Sequence, residues 1–193
     1  MYLDILGKVT TAQGNLIDSI PEALRYPWEM PGGRLATVAE VTAAWNAVKN
    51  RQDLKMAGAH AFAKVSAPRL SESALRDATL RAMALAELTL KQRFPQWEQW
   101  PADAQAATLS MAYAMGPRFR FPKFEAAALA QDFATAARES HMEDSQNPGL
   151  RPRNALNKDL FLMADRVVRE DLPRGPLYTP IPGMPAPALA IPA

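Results

Sequence analysis

The chain has 193 residues, 48% of them hydrophobic and 22% charged, the profile of one globular domain with room for a continuous core rather than of a disordered chain. Its 22 Lys and Arg against 20 Asp and Glu leave a net charge of +2, too small to imply a polyelectrolyte partner, although a pI near 9.0 allows a mild attraction to anionic surfaces. Cysteine is absent, which excludes disulfides, thiol catalysis and thiolate metal sites and fits synthesis in a reducing compartment.

The stretch from Tyr2 to Asn15 sets β-branched residues between Gly7 and Gly14, which suits a short hairpin. It carries Asp4 and no basic-then-apolar order, so it does not read as a signal peptide. A helix opens at Thr37, with Glu40 at capping-box spacing and Val41, Ala44, Trp45 and Val48 on one face. A second extended piece is expected over 63–70. A long helix then runs from Ser71 or Ser73 to Arg93, with Leu75, Ala78, Ala82, Leu85 and Ala86 as its apolar side, and stops at Phe94-Pro95. Pro101 begins a segment that is apolar almost all round over 104–115 and ends at Gly116, the pattern of a buried central helix. Two shorter helices are expected over 123–130 and 132–141, the second capped by Asp132. The turn signal Gln146-Asn147-Pro148-Gly149 precedes a last helix from Arg153 or Asn154 to Glu170. The expected fold class is mainly α with a small N-terminal β-hairpin.

Seven of the 17 prolines fall after Leu172, and residues 175–193 carry no charge. Residues 172–193 therefore read as an extended, polyproline-like tail beyond a body ending near Asp171. Such a segment either docks in a partner's groove at low entropic cost or serves as a linker. No stretch approaches the roughly 20 apolar residues that a membrane span needs.

The general chemical motifs are absent. His60 and His141 stand far apart without an acid cluster, which argues against a metal site. There is no Gly-x-Gly-x-x-Gly, no phosphate loop and no Gly-x-Ser-x-Gly elbow. Arg118-Phe119-Arg120-Phe121-Pro122-Lys123-Phe124 interleaves three cations with three rings. It could stack bases and neutralise phosphates, or grip a sugar and an acidic polymer. The nearly balanced charge favours a surface connection anchored by its phenylalanines, and ranks nucleic acid last among partners.

Tyr2-x-Asp4, Gly7, Thr10 and Gly14-Asn15 stand in the order and spacing of the opening hairpin of phage-type lysozymes, glycoside hydrolase family 24, which the chain resembles. Met111-Ala112-Tyr113-Ala114-Met115-Gly116 is similar to that family's central helix and its glycine stop. Asp132-Phe133-x-x-Ala136-Ala137 and Asn147-Pro148-Gly149-Leu150-Arg151-x-Arg153-Asn154 are similar to its late helix and turn, so the likeness runs in order from Tyr2 to Ala164. The resemblance implies an α+β lysozyme-like domain over 1–171. A hairpin lobe over 1–70, with an insertion over 17–58, and a helical lobe over 71–171 would hold peptidoglycan between them. The implied reaction is hydrolysis of the β-1,4 link between N-acetylmuramic acid and N-acetylglucosamine, with no cofactor and no metal. Asp4 and Thr10 would orient the attacking water, and Gln13, Gly14 and Asn15 would line the glycan cleft. Arg151 and Arg153 would bind the polymer's carboxylates, or meet the negative end of a neighbouring helix.

Two departures stand out. The family's general acid is a glutamate ahead of the tyrosine, whereas only Met1 precedes Tyr2. A general acid contributes on the order of 10²- to 10⁴-fold. Three readings follow: Met1 is internal to a longer enzyme, the chain binds glycan without cleaving it, or the scaffold has a structural role, for instance in a phage particle through the proline-rich tail. The expected place of action is the bacterial cell wall, reached after release or delivery without a signal peptide, or a phage particle. Second, Ala12 replaces a hairpin glycine, so the backbone is expected to avoid a left-handed conformation there.

Overall fold

The computed structural model describes residues 1–12 and 14–183. Gln13, expected in the glycan cleft, and residues 184–193 of the proline-rich tail lie outside the described residues. The protein is mainly helical, with a small three-stranded antiparallel sheet at its N-terminus. It divides into two compact units, Met1–Ala82 and Met83–Ala193.

In the first unit β1 (Tyr2–Leu3), β2 (Val9–Thr11) and β3 (Asn15–Leu16) form a meander in sequence order. The third strand goes beyond the expected hairpin. It exists because Gly14, at φ 111°, turns the chain back, with its N–H donating to the Thr11 carbonyl at 3.2 Å. The short helix α1 (Ile20–Ala23) is capped by Ser19, and α2 (Val38–Lys49) by the Thr37–Glu40 capping box. Leu3 and Val9 from the sheet, Val41 and Val48 from α2, and Ile17, Trp28 and Phe62 from the connections form one buried cluster. The Trp28 and Trp45 indole N–H groups donate to the carbonyls of Ala23 and Ile17 at 2.7 and 2.8 Å.

Residues 63–70 form no strand. They make a single bridge, Glu29 to Arg69, and the Arg69 guanidinium donates to the carbonyls of Ala63 (2.6 Å), Pro68 (3.0 Å) and Ser66. Pro68 has no N–H to lend a ladder, and these local bonds hold the segment instead.

The long helix α3 (Glu72–Arg93) carries the boundary between the units. Its buried positions are Ala74, Ala78, Ala86 and Leu90, so Leu85, expected on the apolar side, is 67% exposed. The stripe runs through alanines four or eight residues apart and ends at Leu90, which leaves Leu80, Leu85 and Leu88 exposed.

In the second unit α4 (Ala102–Met115), α5 (Pro122–Leu129), α6 (Phe133–Glu139) and α7 (Leu150–Arg169) enclose an aromatic core. Trp100 lies 5.0 Å from Phe94 and 5.6 Å from Phe133, and Phe124 lies 5.4 Å from Phe161, by ring centroids. α4 buries Ala104, Ala107, Thr108, Met111 and Ala112, and packs against α7. Asp132 caps α6 as expected, accepting from the Thr135 N–H at 2.9 Å. α7 starts at Leu150, earlier than expected, because Pro152 falls in the first turn, where a missing N–H costs no helical bond. The packed body also extends past Asp171. Asp103 on α4 accepts the backbone N–H groups of Tyr178 and Thr179 at 3.0 and 2.8 Å, and both residues are buried.

Candidate functional site

The sheet of the first unit places the hairpin residues. Between β1 and β2 the Asp4 carboxylate oxygen Oδ1 accepts the N–H groups of Leu6 and Lys8, each at 2.9 Å, while the Gly7 N–H donates to the Asp4 carbonyl at 2.9 Å. An aspartate that accepts the N–H two residues on stabilises a tight turn without help from other elements. Gly7 has φ 73°, and a Cβ there would stand 2.2 Å from Gln52 Oε1. Gln52 Nε2 and Lys49 Nζ both donate to the Gly7 carbonyl at 3.2 Å. Lys49 also pairs with Asp18 at 2.6 Å, and Asp18 accepts the Val9 N–H at 2.9 Å. Burial works against the Asp18 charge, but the bonds from Lys49 and Val9 outweigh it and hold the carboxyl below its usual range. The end of α2 thus clamps the hairpin.

Side chains alternate across a strand, and residues paired in register share a face. Tyr2 pairs with Thr10, and Leu3 with Val9. Tyr2, Asp4 and Thr10 therefore belong to one face, opposite the face of Leu3 and Val9, which are core. The Lys8 carbonyl accepts the backbone N–H of Asp4 at 3.0 Å, a bond that continues the β1–β2 pairing, and the Thr10 hydroxyl at 3.2 Å. Thr10 is 3% exposed. Asn15 pairs with Thr11 and is buried on the side of Leu3 and Val9, away from Asp4 and Thr10. Gly14 forms the turn between them.

Ala12 corrects the sequence reading: its φ is 51°, left-handed, where a non-glycine residue was expected to avoid that region. The Tyr2 hydroxyl donates to the Ala12 carbonyl at 3.4 Å, and the β2–β3 pairing fixes the flanks, which over-determines the turn.

Beside the sheet lies a cavity of about 660 Å³ whose walls include Tyr2, Thr11, His60, Phe62 and Glu72. Glu72 is the carboxylate of that lining among the described residues, and it stands 3.9 Å from Arg76. Local spacing along the chain carries no sign that Glu72 and Gln52 border the hairpin. Both come from distant turns brought in by the fold. No group of three His, Cys, Asp or Glu side chains able to hold a metal ion occurs among the described residues.

Arg151 and Arg153 belong to the second unit and point to different surroundings. Arg151 is exposed and lies 3.8 Å from Asp144, while Arg153 donates to the Ser110 carbonyl and hydroxyl at 3.3 and 3.0 Å, tying α7 to α4. In the segment from Arg118 to Phe124 the Phe119 and Phe124 rings are buried and Arg118, Arg120 and Lys123 are exposed, as the anchored-connection reading expects.

Comparison with protein-family models, curated proteins and solved structures gives no match. Among the described residues no helix is long and apolar enough to cross a membrane.

Proposed function

We propose that this chain is a lysozyme-like protein that acts on the glycan strand of peptidoglycan, hydrolysing the β-1,4 link between N-acetylmuramic acid and N-acetylglucosamine. The observation that carries this reading is that Asp4 and Thr10 belong to one face of the sheet, opposite the buried face of Leu3 and Val9. With the Thr10 hydroxyl hydrogen given to Lys8, its oxygen can only accept, and at 3% exposure it accepts from a water only where one enters between Thr10 and Asp4. A carboxylate offers about four acceptor positions, so Asp4 can take a second water hydrogen besides the Leu6 and Lys8 N–H groups. Aligning the water and accepting its proton is the task of the base in glycoside hydrolysis. The partner carboxyl that protonates the leaving oxygen is, by the resemblance, a glutamate ahead of Tyr2, which residues 1–193 do not supply, so cleavage by these residues alone is expected to be weak or absent while glycan binding is kept. The place of action is the cell wall, and the proline-rich tail is the segment suited to a phage or virion partner.

A second reading, a non-catalytic glycan-binding or assembly module, is favoured by one observation: Asp4 Oδ1 already serves two backbone N–H groups and Thr10 is buried, both of which are holding roles. Release of soluble muropeptides from purified cell walls separates the two. Asp4→Asn keeps an Oδ1 acceptor for the turn but loses the charge. Hydrolysis through Asp4 requires its release rate to fall about 100-fold or more with an unchanged thermal midpoint. Equal rates remove Asp4 from the chemistry, and a wild-type chain that sediments with walls without releasing fragments selects the binding module.

A further inference from the structure

The pair Arg118 and Arg120 was singled out in the sequence, and glycan hydrolysis makes no use of it. In the second unit the two arginines line a concavity of about 420 Å³ together with Thr89, Gln92 and Arg93 from α3. Three of its five lining residues are guanidinium groups and none is an acid.

Their positions are set by the core beneath. Phe119, between the two arginines, is buried, with its ring 5.7 Å from Phe121 and 5.9 Å from Phe124. Arg118, in the turn closed by the Phe119 N–H on the Gly116 carbonyl at 3.1 Å, and Arg120 just beyond it are both exposed and line the same concavity. Arg93 is the rigid floor. Its guanidinium donates to the carbonyls of Pro117 (2.5 Å) and Phe119 (2.8 Å), pairs with Glu125 at 3.0 Å, and lies over the rings of Phe94 and Phe119 at 5.3 and 4.7 Å. Glu125 thus answers the charge of Arg93. Among the described residues Arg118 and Arg120 make no side-chain hydrogen bond or ion pair, so two positive charges face the concavity unanswered, beside the Gln92 amide.

We propose that Arg118 and Arg120, with Gln92 and Arg93 beneath, form a binding site for a terminal phosphate group, as in inorganic phosphate or a phosphomonoester. Arginine forks match phosphate oxygens in two-point hydrogen bonds, and two unanswered charges match a dianion. A phosphodiester polymer is a poorer fit, since it needs a basic stripe along many residues and the chain's net charge is only +2. This site is independent of the glycan reading and stands or falls apart from it.

Arginine Nε–Hε resonances of the full chain, titrated at constant ionic strength with inorganic phosphate, methyl phosphate, dimethyl phosphate or acetate, test it. Saturable shifts are expected for Arg118 and Arg120 with phosphate and methyl phosphate, and weaker ones with the monoanionic dimethyl phosphate and acetate. Arg118→Ala and Arg120→Ala, which remove exposed side chains and leave the fold intact by circular dichroism, should each weaken the apparent affinity about tenfold or more. Lys123→Ala, outside the concavity, should leave it unchanged. Equal non-saturating shifts with all four anions, or the same affinity in both arginine variants, would overturn the site.

Discussion

Asp103 is fully buried at the start of α4, and a carboxylate in that position is tolerable only when its oxygens are taken up. Tyr178 and Thr179 supply the two N–H donors, 75 and 76 residues away in the chain. Asn157 on α7 is equally buried, yet neither of its side-chain polar atoms has a hydrogen-bond partner among the described residues. Asp103→Ala would strand two buried N–H groups and is expected to cost about 3 kcal/mol or more. Urea unfolding measures this directly, and an unchanged midpoint would mean that the 177–179 segment is not held by Asp103. Nothing local in the sequence signals this role, because the donors arrive from a stretch whose prolines suggest an extended tail.

At the scale of the element, the hairpin is built from local chemistry and one strained residue. The Asp4 turn and Gly7 follow rules that short-range spacing reveals, and so does the Thr37–Glu40 capping box, since donor and acceptor lie three residues apart. The third strand, the absence of a strand over 63–70 and the early start of α7 depend on partners or on a proline whose position in the helix cannot be read without the helix start. Ala12 is the case in which a sequence rule pointed the wrong way: the pairing of β2 with β3 and the Tyr2 bond impose φ 51° on an alanine. A left-handed alanine costs roughly 1–2 kcal/mol against glycine's freedom there, reduced by glycine's larger entropy loss on folding. Ala12→Gly is therefore expected to stabilise the chain by about 0.5–1 kcal/mol in thermal or urea unfolding. A loss of stability would place a side-chain contact of Ala12 above its backbone strain.

At the scale of the whole molecule, the buried apolar residues gather in two clusters, one in each compact unit, where composition alone suggested a continuous core. The five longer helices from Val38 onward and α6 were legible in order because alanine-rich segments with caps and stops declare themselves locally, whereas the short α1 was not expected. The partition was not, since it falls within one uninterrupted helix, α3. The candidate site was legible to the same extent: Asp4 and Thr10 share a face, as strand alternation requires, while Asn15 belongs to the other face and Gln52 and Glu72 were invisible. Recognition of the glycan is common to the hydrolytic and the binding readings, so it bears most directly on both. Sedimentation of the purified chain with insoluble peptidoglycan, with and without a soluble β-1,4-linked N-acetylglucosamine oligomer as competitor, measures it. Glycan recognition through the hairpin unit requires saturable co-sedimentation, displacement by the oligomer and weakening by Asp4→Ala, which removes the carboxylate that holds the turn. A chain that stays in the supernatant, or that sediments regardless of competitor and of Asp4, would be incompatible with a lysozyme-like role.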